Sequence, residues 1–133
     1  MPIKVETYDI DLAGHVNNIV YIKWLEVLRT GLLKLNGSFK ELIQNGYYLV
    51  VISTNIIYRK QLKIFDEPVG RMELKEIRHN VITFNATIKL AEEIYAKAEQ
   101  RCVVLDMKTS RMVHLDASSG TIKIKFAHTE AMK

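Results

Sequence analysis

Ile19-Val20-Tyr21-Ile22-Lys23-Trp24-Leu25-Glu26-Val27-Leu28-Arg29-Thr30-Gly31-Leu32-Leu33-Lys34-Leu35 is the stretch that decides the architecture. Its polar residues Lys23, Glu26, Thr30 and Lys34 recur at spacings of three and four, the period of an α-helix. Around that narrow stripe stand Ile19, Val20, Ile22, Trp24, Leu25, Val27, Leu28, Leu32, Leu33 and Leu35. A helix apolar over most of its circumference must be covered on more than one side. Asn17 or Asn18 can cap its first turn, and Asn36-Gly37 is a stop signal.

On the C-terminal side, Ser38-Phe39-Lys40-Glu41 has the spacing of a capping box, and Gly46 closes the short helix that it starts. From Tyr47 the period changes to two. Tyr48, Val50, Ile52, Thr54, Ile56 and Tyr58 alternate along one predicted strand, and Met72 and Leu74 alternate with Glu73 and Lys75 in the next. Ile82, Phe84, Ala86, Ile88 and Leu90 give the cleanest strand. Ile94 to Met107 is a further one, with Ala96, Ala98, Cys102 and Val104 on one side. His79-Asn80 and Glu92-Glu93 are the expected turns between them. Met112 to Leu115 reads as a last strand after a turn at Thr109-Ser110. On the N-terminal side, Ile3 to Tyr8 holds enough β-formers for a short strand. The order is strand, long helix, short helix and a run of antiparallel strands: an α+β domain, 1–133, whose sheet wraps one central helix. After Asp116 the pattern weakens. Ile122, Ile124 and Phe126 allow a short extra strand, and the final residues are expected to be poorly ordered.

The composition, 48% hydrophobic and 26% charged, is that of a globular protein and excludes a disordered or fibrous chain. The start lacks an apolar h-region, so no signal peptide is expected, and no apolar stretch approaches a membrane span. One cysteine, Cys102, permits no internal disulfide, and no Cys/His set has zinc spacing. A buried, inert thiol in a cytoplasmic protein without metal is the expectation. The net charge of +4 is scattered, without the basic stripe and stacking aromatics that nucleic-acid binding requires. Such a field suits a phosphorylated ligand or an acidic carrier protein, and the Arg59-Lys60 pair is a candidate contact.

The chemistry concentrates in Tyr8-Asp9-Ile10-Asp11-Leu12-Ala13-Gly14-His15-Val16-Asn17-Asn18, at the approach to the long helix. Free N–H groups at a helix N-terminus stabilise negative charge. A carbonyl oxygen placed there is polarised, because the charge developing on it meets donors already in position. Asp11 precedes the helix by a short loop, so its carboxylate can reach the carbonyl carbon or a water beside it. A thioester suits these parts: its thiolate leaves without a strong general acid, so no Ser-His-Asp triad is needed. Each residue also has a plain reading. Asp9 and Asp11 can bind loop backbone, Asn17 and Asn18 can cap the helix, Gly14 can supply a special backbone angle, and His15 can be a hydrogen-bonded loop residue. His79, His114 and His128 are isolated and receive no role.

Tyr8-x-x-Asp11-x-x-x-His15-Val16-Asn17-Asn18, followed by Tyr21, Trp24, Glu26 and Arg29, resembles the opening of the hotdog-fold acyl-CoA thioesterases. Within them it is similar to the 4-hydroxybenzoyl-CoA thioesterase family, particularly its long-chain acyl-CoA branch. The resemblance implies a curved antiparallel sheet around one long helix and hydrolysis of acyl-CoA to a free acid and coenzyme A, an activity of lipid metabolism. It implies no cofactor beyond the coenzyme A of the substrate. It also implies Asp11 as the catalytic carboxylate, the backbone N–H near Asn18 as the polarising donor, and His15 as a residue that shapes or assists the site. Asn17, Tyr21, Arg59 and Lys60 are the candidate substrate-binding residues, and Asp9 matches a position that is often acidic without being the main catalyst. Such proteins are homodimers or homotetramers with sites at the subunit interface. Acyl-carrier-protein thioesterases share His-Val-Asn-Asn but tend to carry asparagine where this chain has Ala13. A carrier-protein substrate, or a silent acyl-thioester binding module, is the alternative reading.

Overall fold

A computed structural model describes residues 1–35 and 38–115, with the side chains of 38 and 39 excepted. The Asn36-Gly37 stop, the Ser38 side chain of the capping box and everything expected after Leu115 lie outside the described residues. Two helices come first: α1 (Asn18–Leu35) and α2 (Ser38–Gln44). Four strands follow, β1 (Tyr47–Tyr58), β2 (Val69–Arg78), β3 (Val81–Leu90) and β4 (Glu93–Asp106). They form one antiparallel sheet in the order β1-β4-β3-β2. The curved sheet packs on α1, the hotdog arrangement expected from the sequence.

The helix lays Tyr21, Trp24, Leu25, Leu28, Arg29, Leu32 and Leu33 against the sheet. Opposite them stand Met72, Ile82, Phe84, Ala86, Ile88, Ala96, Cys102 and Val104, all buried. Gly70 lets α1 approach β2 closely: a Cβ there would stand 2.5 Å from the Ile3 side chain and 2.9 Å from that of Leu28. Burial pushes the Cys102 thiol up to about 11, against a smaller opposing effect of Arg29, in keeping with an inert cysteine. The opposite flank of α1 leaves Ile19, Ile22 and Val27 about half or more exposed, so one chain covers only one side of the helix.

Four sequence expectations change. The strand over Ile3 to Tyr8 reduces to a single bridge, Pro2 to Val69. The chain then tightens into a 3-10 turn at Thr7–Asp9, because the Asp9 carboxylate takes the Glu6 N–H at 2.9 Å. In β1 the core face is Tyr47, Leu49 and Val51 at first and Ile56 later, not one uninterrupted alternation. A bulge between Val51 and Ser53 inserts Ile52 as an extra residue, which reverses the pattern of the strand's first half. The turn between β3 and β4 is Ala91-Glu92, one residue earlier than expected, with φ of 51° and 66°. That two-residue left-handed geometry matches the twist of the flanking strands, and His79-Asn80 repeats it. Finally, the expected strand from Met112 to Leu115 is one bridge, Met112 to Leu105, beside a bond from the Val113 N–H to the Val104 carbonyl.

Candidate active site

The segment before α1 is a closed loop. It leaves at Asp9, whose carbonyl accepts the Asn17 N–H at 2.9 Å, and residues 10–16 bulge out between those two points. Inside it, the Asp11 N–H donates to the His15 carbonyl at 2.8 Å, and the Gly14 N–H to the Asp11 carbonyl at 3.0 Å. Gly14 sits at φ +82°, a conformation that a side chain would oppose. The Asp11 Oδ1 accepts two further N–H groups, from Ala13 at 2.9 Å and His15 at 3.2 Å. These bonds fix the orientation of the carboxylate and leave Oδ2 without a partner among the described residues. The loop is fastened to the chain beyond β1 by the Val16 N–H on the Leu62 carbonyl and by a bridge between His15 and Lys63.

The helix start is similarly selective. Asn17 caps it, its Oδ1 accepting the Ile19 N–H at 3.2 Å and its carbonyl the Val20 N–H at 2.9 Å. Among the described residues the Asn18 N–H meets no acceptor, so it is the donor that the end of the helix offers outward. From the end of β1 the Tyr58 hydroxyl donates to the Asn18 carbonyl at 3.0 Å. The Tyr58 ring meets that of Tyr21 edge-on at 5.0 Å, and Trp24 lies 5.0 Å from Tyr21 on its own helix. Burial pushes the Tyr21 hydroxyl up to about 12, although a hydrogen bond with the Leu62 backbone pulls the other way.

Asp11, His15, Asn17, Asn18, Tyr21, Arg59 and Lys60, the residues singled out from the sequence, all line one open cleft of about 790 Å³. Val16, Tyr58, Gln61 and Lys63 complete its wall, and sequence reasoning did not single these out for the site. Lys63 and Gln61 follow Arg59-Lys60 at the exit of β1, and that basic pair was the signal that could have drawn them in. Not all of the cations are equivalent. Lys60 is ion-paired with Glu93, which raises its pKa, and its ammonium stands 5.8 Å from the Tyr95 ring centre. Arg59 and Lys63 have no ion pair among the described residues.

Further along α1 a buried polar chain ties helix to sheet. Arg29 donates to Gln100 Oε1 at 2.7 Å and to Glu26 at 3.3 Å, and Gln100 donates to the Thr54 hydroxyl at 3.2 Å. None of these residues lines the cleft, so the network supports the helix rather than the chemistry. Among the described residues no three of His, Cys, Asp and Glu group as a metal site requires, and no helix is long and apolar enough to cross a membrane.

Among the described residues, the arrangement brings a carboxylate with a free oxygen and an unpaired helix N–H to one cleft with a cationic rim. Residues 5–126 match the thioesterase-like superfamily. The chain is 28% identical over 116 residues to the long-chain acyl-CoA thioesterase FadM of Escherichia coli (strain K12), covering 86% of this chain and 88% of that one. Its structure is similar to that of YbaW, a probable thioesterase from Escherichia coli, with a TM-score of 0.85 and 25% identity, over 100% of this chain and 98% of the other. It shares its fold with a DHNA-CoA thioesterase from Staphylococcus aureus at a TM-score of 0.79 and 17% identity, over 90% of this chain and 81% of the other.

Proposed function

Because the chain belongs to the thioesterase-like superfamily, we propose that it hydrolyses acyl-CoA to a free carboxylic acid and coenzyme A, with Asp11 as its catalytic carboxylate. The observation that carries this reading is the half-occupied carboxylate of Asp11 in the same cleft as the unpaired Asn18 N–H. The thioester oxygen accepts the Asn18 N–H, where the helix dipole favours the charge that develops on it. Asp11 then uses its free oxygen either on the carbonyl carbon or on the proton of an attacking water. The C–S bond breaks, the hydroxyl of water ends on the acyl carbon, and its proton ends on the thiolate. His15 adjoins Asp11 and shapes the wall. Arg59, Lys60 and Lys63 offer positive charge for the phosphates of coenzyme A. A panel of short, long and aromatic acyl-CoAs, with one acyl-carrier protein, tests the activity by release of free thiol. Turnover of the carrier protein alone would move the natural handle away from coenzyme A, and no turnover of any thioester would reject the reading.

The same proposal includes self-association as a homodimer or homotetramer. Two features support it: the exposed Ile19, Ile22 and Val27 flank of α1, and β1 as an edge strand with one side of its backbone unpaired among the described residues. Sedimentation at micromolar concentration should give at least a dimer, and a compact monomer would remove the shared-site arrangement.

A further inference from the structure

The donor that the end of α1 offers outward has an anchor in the sheet. Two peptide groups set the direction of the Asn18 N–H: the one it belongs to, between Asn17 and Asn18, and the next, between Asn18 and Ile19. The first is held at its carbonyl, which accepts the Val20 N–H at 2.9 Å. The second is held at both ends. Its N–H donates to the Asn17 Oδ1 at 3.2 Å, and its carbonyl accepts the Tyr58 hydroxyl at 3.0 Å. A carbonyl oxygen has two acceptor sites, so this bond leaves one for the ladder of the helix. Among the described residues, only Tyr58 holds these peptides from outside the helix and its cap. It is the last residue of β1, where its strand partner is Ala96 and its ring meets that of Tyr21 edge-on at 5.0 Å. Partial burial pushes its hydroxyl above the ordinary phenol value, so it remains a donor through the neutral range.

We infer that Tyr58 is a positioning residue for the reaction: its hydroxyl braces the first turn of α1 so that the Asn18 N–H points at the carbonyl oxygen of the thioester. The inference rests on the thioesterase reading above and adds how the donor is kept in line. Helix ends fray, and here the end that could fray carries the group that must meet a developing charge. Without the Tyr58 hydroxyl, the Asn18–Ile19 peptide is held at its N–H alone and can tilt, and Asn18 is no longer fixed on that side. A misdirected donor matters little to a neutral carbonyl and much to an oxyanion. The loss therefore falls on the transition state and not on binding.

The test is Tyr58→Phe, which keeps the ring against Tyr21 and removes only the hydroxyl. On the acyl-CoA that the wild type turns over fastest, kcat should fall about two- to tenfold, the span of a neutral hydrogen bond worth about 0.5–1.5 kcal/mol, with KM unchanged. A second readout needs no turnover. In proton–nitrogen correlation spectra of the substrate-free protein, the Asn18 and Ile19 amide signals should shift or broaden in Tyr58→Phe, while those of β3 stay in place. Unchanged kcat would overturn the inference. So would a raised KM at unchanged kcat, which would make the hydroxyl a substrate contact. A lowered kcat with both amides unmoved would overturn it as well, since the hydroxyl would then act on the reacting atoms directly. If the wild type turns over no thioester, the thioesterase reading falls and the amide signals decide alone: moved signals keep the brace on the Asn18 donor, and unmoved signals remove it.

Discussion

Asp9 and Asp11 stand two residues apart, and the chain treats them in opposite ways. Asp9 is 5% exposed; its carboxylate holds the Glu6 N–H and its carbonyl holds the Asn17 N–H. Asp11 is exposed on the cleft, with one oxygen occupied by the loop and the other open. The 3-10 turn therefore uses its acid to close the backbone, whereas the loop uses its acid only far enough to aim it. In so short a segment the residue type is the same, and burial and position decide the role. An acid buried under the turn is closed to a substrate, and one that is aimed by two N–H groups on an exposed wall stays open to it.

The largest effect that separates the two is Asp11→Asn. Asparagine keeps an oxygen able to accept the Ala13 and His15 N–H groups, so the loop should retain its shape. Only the charge is lost. We expect kcat to fall at least about a hundredfold, the lower end for a positioned base or nucleophile, with an unchanged melting temperature and little change in substrate binding. Near-normal kcat in well-folded protein would remove Asp11 from the mechanism and make both acids structural.

Asp9→Ala should show the reverse signature. It leaves the Glu6 N–H without its acceptor and loosens the point where residues 10–16 depart and return. Loss of a hydrogen bond to a charged group predicts a destabilisation of about 1.5–3 kcal/mol, seen as a lower urea midpoint. The folded fraction should keep kcat within a few-fold of wild type. An activity loss equal to that of Asp11→Asn, at undiminished stability, would break the comparison.

The contrast also marks how much could be read in advance. Asp11, His15, Asn17 and Asn18 are legible because they lead directly into a helix whose polar stripe gives its own register. Tyr58 and Lys63 reach the cleft from the far end of β1, about forty residues later in the chain, and nothing local in them encodes that return. The bulge at Ile52 was hidden for a related reason. Its surroundings alternate well on either side, and only pairing with β4 shows that one residue is extra. Gln100 is a polar residue buried in β4 because Arg29 and Thr54 satisfy it from two other elements, which no local pattern announces. The helix, the sheet and the loop before α1 follow from periods and caps; the rest of the cleft depends on pairings between distant segments.

The smallest effects belong to the rim, where the same reasoning about occupied groups applies to cations. Lys60 already faces Glu93, whereas Lys63 has no ion pair among the described residues. If the rim holds the coenzyme A phosphates, Lys63→Gln should raise KM for acyl-CoA by up to about fivefold, the scale of an exposed ion pair worth about 1 kcal/mol or less. Lys60→Gln should raise it too, because removing Lys60 also leaves the Glu93 carboxylate unneutralised beside the phosphates. Both effects should shrink as salt rises, since exposed charges are screened over about 10 Å at 0.1 M ionic strength. With an acyl-pantetheine substrate, which lacks the nucleotide, neither substitution should matter. A Lys63→Gln effect that persists undiminished on acyl-pantetheine would mean that the lysine acts on the thioester end of the substrate. Lys63 would then belong with His15, its bridge partner across the loop, and not with the phosphates.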